Sequence, residues 1–183
     1  SKKSSVILTS ATLTAKGSFE HIKQRIGLIK TDELLKGSPF DYKNAALVCI
    51  PEDMPEPNSW AYQPALEKGI LDVASVLKGH TMVLFTSHNA LRSTSTFIRA
   101  NLDPTIQVMA QGLDGSPKRI ANNFFKNPNS VILGTSSFWE GVDMPGGILK
   151  AIIIVRLPFN VPTDPVFQAR SENVENPFDD YAI

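Results

Sequence analysis

The sequence predicts an α/β protein in which a doubly wound, mostly parallel β-sheet is flanked by helices, giving three layers. Short apolar runs alternate with amphipathic stretches along the 183 residues. Most of these runs contain Val, Ile and Leu without polar alternation, which is typical of strands buried on both faces. Strand–helix–strand repetition favours parallel pairing through crossover connections. The 42% hydrophobic and 20% charged residues are typical of a globular domain rather than a disordered chain.

Six apolar runs are predicted as strands, because each is short and rich in aliphatic side chains. In chain order they are Val6–Leu8, Ala46–Ile50, Thr81–Phe85, Ile106–Met109, Val131–Leu133 and Ala151–Val155.

Four amphipathic stretches are predicted as helices, because their apolar side chains recur at intervals of three and four residues. In chain order they are Phe19–Leu28, Trp60–Leu77, Asn89–Leu102 and Pro117–Phe125. Pro117 suits the first turn of a helix after Ser116, which is a natural N-cap. Residues 29–45 and 51–58 are predicted as loops, and two prolines exclude a helix interior from the second loop.

Composition limits the classes of protein to be considered. Lys and Arg total 18 and Asp and Glu total 18, so any nucleic-acid site has to be local. Cys49 lies in an apolar run and is predicted as a core residue of a protein in a reducing compartment. The three histidines, His21, His80 and His88, lack partners at metal-binding spacing, so no metal site is predicted. His21 and His80 are expected at the surface. No apolar stretch approaches the ~20 residues that span a bilayer, so no membrane partner is expected.

Polar residues follow four of the predicted strands, at the edge where ligands bind in sheets of this type. The segments are residues 86–89, 110–112, 134–146 and 156–159, and they collect hydroxyls, amides, an arginine and two acids. Ser, Thr and Asn are also ordinary helix N-caps, so a structural role stays open for each of them. Four polar strand ends together favour a binding edge.

Two common catalytic motifs are absent from the sequence. There is no G-x-x-x-x-G-K-[ST] phosphate loop and no G-x-S-x-G nucleophile elbow. Residues 112–118, GLDGSPK, look similar to a phosphate loop, but the spacing differs and a turn into a helix explains them. The chain therefore lacks a complete catalytic site of either kind.

Three segments in register resemble helicase motifs. Residues 6–13, VILTSATL, resemble the Ser-Ala-Thr motif that ends the first motor domain of superfamily-two helicases. Residues 81–91, TMVLFTSHNAL, resemble motif IV, and residues 131–146, VILGTSSFWEGVDMPG, resemble motif V. With the RLPF that begins at Arg156, they are similar to the DinG/XPD family of DNA helicases. The resemblance covers nearly the whole chain and is least diagnostic over residues 29–80.

The resemblance implies a RecA-like fold and a motor with two such domains. Residues 1–14 would be the end of the first motor domain, and residues 15–183 the second RecA-like domain, truncated before motif VI. Both ends of the chain look cut, as expected for part of a longer protein. The expected partners are single-stranded DNA and the first motor domain. The family further implies DNA repair in the cytoplasm, in association with the nucleoid.

ATP with Mg is the cofactor that the resemblance implies for the full-length protein. Both Walker elements and the arginines of motif VI lie outside this sequence. We therefore expect no bound cofactor and no ATP hydrolysis from the chain alone.

The resemblance also assigns site residues. The predicted DNA contacts are Thr86, Ser87, Asn89, Gln111, Thr135, Ser136 and Arg156. The predicted nucleotide contacts are Glu140, Gly141 and Asp143, with Asp143 meeting the ribose or coupling to the arginines of motif VI. The alternative is that the two acids only cap a turn. Trp139 either stacks on a base or packs against the sheet or the partner domain.

Two other functions stay open on the sequence alone. One is a non-catalytic module of RecA-like shape that binds nucleic acid or protein. The other is a small-molecule-binding domain of flavodoxin-like type, which would retain a cofactor. A phosphate loop upstream and a Gly-Arg-x-x-Arg segment downstream would distinguish the helicase from the non-catalytic module.

Overall fold

A computed structural model of the chain describes residues 5–15, 17–139, 142, 144–159 and 169. By its internal contacts the chain divides into two compact units, residues 1–50 and residues 51–183. The domain boundary predicted from motifs, between residues 14 and 15, stays a prediction.

The first unit contains two short helices, α1 (Glu20–Ile26) and α2 (Tyr42–Ala45). The first lies within the predicted helix, and Gly27 ends it in the left-handed conformation. Lys23 forms salt bridges of 2.7 Å with Glu20 and 3.0 Å with Glu33. The hydrogen bonds that Lys23 donates to Glu20 and to Glu33 raise its pKa.

The two strands predicted in the first unit are wrong. Neither Val6–Leu8 nor Ala46–Ile50 pairs with another described segment, and their side chains are exposed, with Ile7 and Leu47 each at 88%. Cys49 is also exposed, so its predicted place in the core is wrong. A strand needs a partner for its backbone groups and a surface on which to bury its side chains. The two runs have the composition of strands, but among the described residues they have neither a pairing partner nor a surface that buries them.

The second unit contains a four-stranded, entirely parallel sheet. Its strands are β1 (Thr81–Leu84), β2 (Gln107–Ala110), β3 (Ser130–Gly134) and β4 (Ala151–Ile154), in the spatial order β2-β3-β1-β4. Thr81 lies opposite Val131 of β3 on one side and Ala151 of β4 on the other, so these three strands begin at nearly the same height in the sheet. Each matches a predicted strand to within one residue at either end.

Helices cover both faces of this sheet. They are α3 (Tyr62–Val76), α4 (His88–Asn101), α5 (Pro117–Lys126) and α6 (Ser136–Trp139). A short 3-10 helix, Pro145–Gly147, precedes β4. One core cluster joins α3 and α4 to the sheet, and a second joins α5 and α6 to its other face. The three-layer, doubly wound α/β fold predicted from the sequence is confirmed, and it is consistent with a RecA-like domain.

β4 departs from the pattern of burial on both faces. β1 and β3 are buried throughout, whereas alternate residues of β4 are open, with Ile152 56% and Ile154 48% exposed. β4 therefore lacks the burial on both faces that is predicted for most of the apolar runs. β4 is an edge strand of the described sheet, and the second core cluster draws its strand residues from β1, β2 and β3 only.

The amino ends of the strands are joined by the turn between α3 and β1. Lys78, Gly79 and His80 all have positive φ, at 52°, 86° and 50°. A Cβ on Gly79 would lie 2.4 Å from the backbone nitrogen of Ser130, so only glycine fits this turn. The His80 carbonyl accepts from the backbone N–H of Lys150 at 2.8 Å.

His80 is half-buried, so its predicted surface position is wrong. Its backbone N–H donates to the Pro128 carbonyl at 3.1 Å. Its Nδ1 lies 2.7 Å from the Ile148 carbonyl oxygen. The residue thereby links the segments that lead into three different strands.

Within the described ranges, no helix is both long and apolar enough to cross a membrane.

Candidate nucleic-acid interface

The carboxyl ends of the four strands meet at one edge, called here the strand-end edge. Backbone hydrogen bonds continue one residue past the strands, from Phe85 N to Gly134 O at 2.8 Å and from Val155 N to Leu84 O at 3.0 Å. The parallel register therefore carries the next residues of each strand to the same edge. All predicted DNA contacts lie on the segments that follow β1, β2, β3 and β4.

Thr86, Ser87 and Asn89 form the part of this edge that follows β1, and all three are exposed. The Ser87 hydroxyl accepts a hydrogen bond from the Ala90 N–H at 3.4 Å, which caps the start of α4. Its proton remains available for a ligand. The hydroxyl of Thr86 has no hydrogen-bond partner among the described residues, so this group faces solvent unpaired.

Gln111 and Thr135 bind each other where β2 and β3 end. Thr135 is 4% exposed, and both its backbone N–H, at 2.8 Å, and its hydroxyl, at 3.1 Å, donate to Gln111 Oε1. Gln111 Nε2 donates to the Ser137 hydroxyl at 3.3 Å. Ser136, between them, is exposed. The amide thus holds the turn after β3, and the exposed hydroxyls there belong to Ser136 and Ser137.

The compact turn after β3 depends on Gly134. A Cβ on this residue would lie 2.6 Å from the ring of Phe138. Because there is none, Phe138 folds back over the strand end and is 4% exposed in the second core cluster. Trp139 packs partly against the same cluster, which favours packing over base stacking for this side chain. Its indole Nε1 is buried and has no partner among the described residues.

A cavity of about 220 Å³ opens between the ends of β1 and β4. Its lining includes hydroxyl, amide, aromatic, aliphatic and basic side chains: Pro57, Ser59, Tyr62, Gln63, Phe85, Thr86, Ser87, Ala90, Val155 and Arg156. The Arg156 guanidinium lies 5.3 Å from the centre of the Tyr62 ring and donates to the Pro57 carbonyl. The Tyr62 hydroxyl donates to the Val155 carbonyl at 2.8 Å. The one basic group of the cavity is therefore held in place by a cation–π contact and a hydrogen bond.

Gln63 also lines this cavity. Its Nε2 donates to Glu67 at 2.7 Å and to Thr94 at 3.0 Å, which uses both amide hydrogens. Glu67, buried at the α3–α4 contact, also accepts from the Ser93 hydroxyl at 2.8 Å. The remaining carbonyl oxygen of Gln63 has no partner among the described residues.

Sequence reasoning missed Tyr62, Gln63 and Ser137 at this edge. Ser137 directly follows Ser136, so the run of hydroxyl residues was a visible signal. No local signal marks Tyr62 or Gln63, because tertiary packing of α3 against α4 and β1 brings them to the cavity. Over the described ranges, no group of three or more His, Cys, Asp or Glu residues is placed to hold a metal ion.

The predicted nucleotide contacts, Glu140, Gly141 and Asp143, lie outside the described residues. Their assignment stays a prediction.

A parallel sheet with helices on both faces and a polar strand-end edge defines the class as an α/β domain of RecA-like type. Residues 70–182, more than half of the chain, match the family described as the helicase C-terminal domain. The chain belongs to this family, and its resemblance to DinG/XPD helicases is confirmed.

Named relatives agree with this membership. The chain is 35% identical over 186 residues to the ATP-dependent DNA helicase YoaA of Haemophilus influenzae, covering 100% of this chain and 29% of that protein. It is 36% identical over 188 residues to the 3'-5' exonuclease DinG of Bacillus subtilis, covering 97% and 20%. It is 32% identical over 178 residues to the ATP-dependent helicase DinG of Mycobacterium tuberculosis, covering 94% and 26%. The chain thus spans less than a third of the length of each.

Proposed function

We propose that this chain is the second motor domain of an ATP-dependent DNA helicase, where it contacts single-stranded DNA and forms one wall of the ATP site. The observation that carries the proposal is the assembly of exposed hydroxyls and a fixed arginine at one sheet edge, in a member of the helicase C-terminal domain family. The names of the relatives support ATP and DNA as the ligands of the longer protein.

The proposed DNA contacts go to the phosphate backbone. Thr86, Ser87 and Ser136 are exposed hydroxyls, and neutral donors of this kind hold phosphates without reading base sequence. Arg156 adds a single positive charge at the mouth of the cavity. Few counterions are released when so few charges meet phosphate, so binding through this edge alone has a shallow salt dependence.

Gln111 and Thr135 support this edge from within. Their mutual hydrogen bonds engage the Gln111 carbonyl and the Thr135 hydroxyl, and Thr135 is buried. We therefore assign the direct contacts after β3 to the hydroxyls of Ser136 and Ser137.

The ATP part of the proposal rests on the family resemblance. Asp143 would meet the ribose or couple to the motif VI arginines, with Glu140 and Gly141 beside it. ATP and Mg would bind between this domain and the first motor domain, which would supply the phosphate loop. The chain by itself would not hydrolyse ATP.

The test is the change Asp143→Asn in the full-length protein, with Asp72→Asn, an exposed charge on α3, as a matched control. Removing the charge at 143 should lower DNA-stimulated ATP turnover about tenfold or more, which corresponds to ~1.4 kcal/mol in the barrier. Affinity for labelled single-stranded DNA of mixed sequence should change less than twofold. The control should match wild type in both assays.

Two results would contradict the proposal. A lowered melting temperature with near-normal turnover would make Asp143 a turn cap, worth about 1 kcal/mol of stability. A full-length protein that binds DNA but shows no DNA-stimulated turnover would favour the non-catalytic module.

A further inference from the structure

A second polar surface lies on the outer side of α5. It is a groove of about 360 Å³, called here the α5 groove. Its lining residues all carry a hydrogen-bond donor: Ser116, Lys118, Arg119, Asn122, Asn123 and Lys126. None of them is apolar, aromatic or acidic, so the groove is suited to an anion and offers no surface for a base.

Three positive charges in this groove are uncompensated. No Asp or Glu occurs between residues 115 and 139, and Lys118, Arg119 and Lys126 make no ion pair with any described residue. The nearest preceding acid, Asp114, is already engaged by Arg99 at 2.5 Å and by the Ala110 N–H at 2.6 Å. In a chain whose formal net charge is zero, this is a local basic surface.

The helix itself arranges these donors in a row. Ile120, Ala121 and Phe124 bury the inner side of α5, which turns the residues between them outward. Positions 118, 122 and 126 follow one another at intervals of four, so their side chains lie along one side of the helix. The ten residues of α5 span about 15 Å.

The groove begins near the strand-end edge, where α5 starts. β2 and β3 are adjacent and parallel, so α5 has to return from the strand-end edge to the opposite edge. Ser116, the N-cap of α5, therefore starts the groove beside the segment that contains Gln111. The stem of Arg119 lies against Gly115 in the same loop.

We propose that the α5 groove binds the phosphate backbone of single-stranded DNA beyond the strand-end edge, and so extends the DNA path down the side of the domain. The proposal rests on the proposed function, because the strand-end edge has to deliver the strand to Ser116. The groove would supply the electrostatic part of binding that the nearly neutral edge lacks.

The experiment compares two triple variants of the full-length protein. One carries Lys118→Gln, Arg119→Gln and Lys126→Gln. The control carries Lys68→Gln, Lys78→Gln and Lys150→Gln, which removes the same charge from exposed positions on α3 and ahead of β1 and β4. Labelled single-stranded and duplex oligonucleotides are titrated at several salt concentrations. Melting temperatures show whether each variant is folded.

For the α5 variant, the slope of log affinity against log salt for single-stranded DNA should become shallower by about 2, since each phosphate contact contributes ~0.7. The control should keep the wild-type slope. Equal slopes for all three proteins, equal changes in both variants, or an effect confined to duplex DNA would each overturn the groove proposal while leaving the proposed function standing. A wild-type protein that does not bind DNA would overturn both.

Discussion

Hydroxyl residues lie at both ends of the strands, but those at the amino ends, called here the amino edge, differ in burial and pairing from those at the strand-end edge. At the amino edge, the Thr81 hydroxyl donates to the Gly79 carbonyl at 2.7 Å and the Ser130 hydroxyl donates to the Asn127 carbonyl at 2.6 Å. Both residues are fully buried. At the strand-end edge, Thr86 and Ser136 are exposed. A hydroxyl at a strand terminus therefore indicates a ligand site only when it is accessible and its proton is not already donated within the protein.

The direction of the chain explains this difference. In a parallel sheet with helical crossovers, helices end near the amino edge and begin near the strand-end edge. Helix C-termini leave carbonyl groups without partners, and buried hydroxyls satisfy such groups, as Ser130 does for Asn127 after α5. Helix N-termini instead present N–H groups, which favour anions. The polar groups of the amino edge thus contribute to stability, whereas those of the strand-end edge remain accessible.

The largest effect on stability should come from replacing the glycine in the turn between α3 and β1. Gly79→Ala should destabilise the protein by about 3 kcal/mol, because φ is +86° and the new methyl group would meet the Ser130 backbone. Urea unfolding measures this. Gly69→Ala is the control, since nothing lies within 4 Å of that helical position, and it should stabilise by up to about 1 kcal/mol. Equal stability of the two variants would refute the proposed role of this turn.

A smaller effect should follow from removing one buried hydroxyl at the same edge. Thr81→Val keeps the shape of the side chain but leaves the Gly79 carbonyl without its hydroxyl donor, which should cost about 1–2 kcal/mol. Thermal unfolding measures the loss. Affinity for single-stranded DNA, measured well below the melting temperature, should stay within twofold of wild type. A clear loss of DNA affinity in the folded variant would contradict the assignment of the amino edge to stability alone.

The smallest effect on stability should come from the matching change at the strand-end edge. Thr86→Val should alter the free energy of unfolding by less than about 0.5 kcal/mol, because the hydroxyl is exposed and unpaired among the described residues. Its affinity for single-stranded DNA should fall threefold to tenfold, as expected for one lost hydrogen bond of about 1 kcal/mol. Fluorescence anisotropy measures this. A variant that loses stability as Thr81→Val does, with unchanged DNA affinity, would make Thr86 structural.

Elements with a strong local pattern were predictable from the sequence. The continuous aliphatic run of β3 and the spacing in α4 locate both elements to within one residue at each end. Ser116 followed by Pro117 fixes the start of α5. The runs near Val6 and Ala46 have the same composition but no partner in the described structure, so composition alone misled there.

The candidate site was only partly predictable, because exposure and pairing are tertiary properties. The sequence placed Gln111 and Thr135 at one edge, but it did not show that they bind each other. It gave no sign of Tyr62, which supports Arg156 from a helix more than 90 residues earlier. Strand order and packing, rather than motif spacing, decide which polar groups remain free.

The contact between Arg99 and Asp114 has a consequence for solubility. β2 is an edge strand of the sheet formed by the described residues, and its odd-numbered N–H groups point to β3, as the bonds of Gln107 and Gln111 show. The outward carbonyl of Val108 instead accepts from Arg99 at 3.1 Å, and the outward N–H of Ala110 donates to Asp114 at 2.6 Å. The paired side chains satisfy two outward backbone groups that a fifth strand would otherwise bind, which disfavours the pairing of another chain along β2.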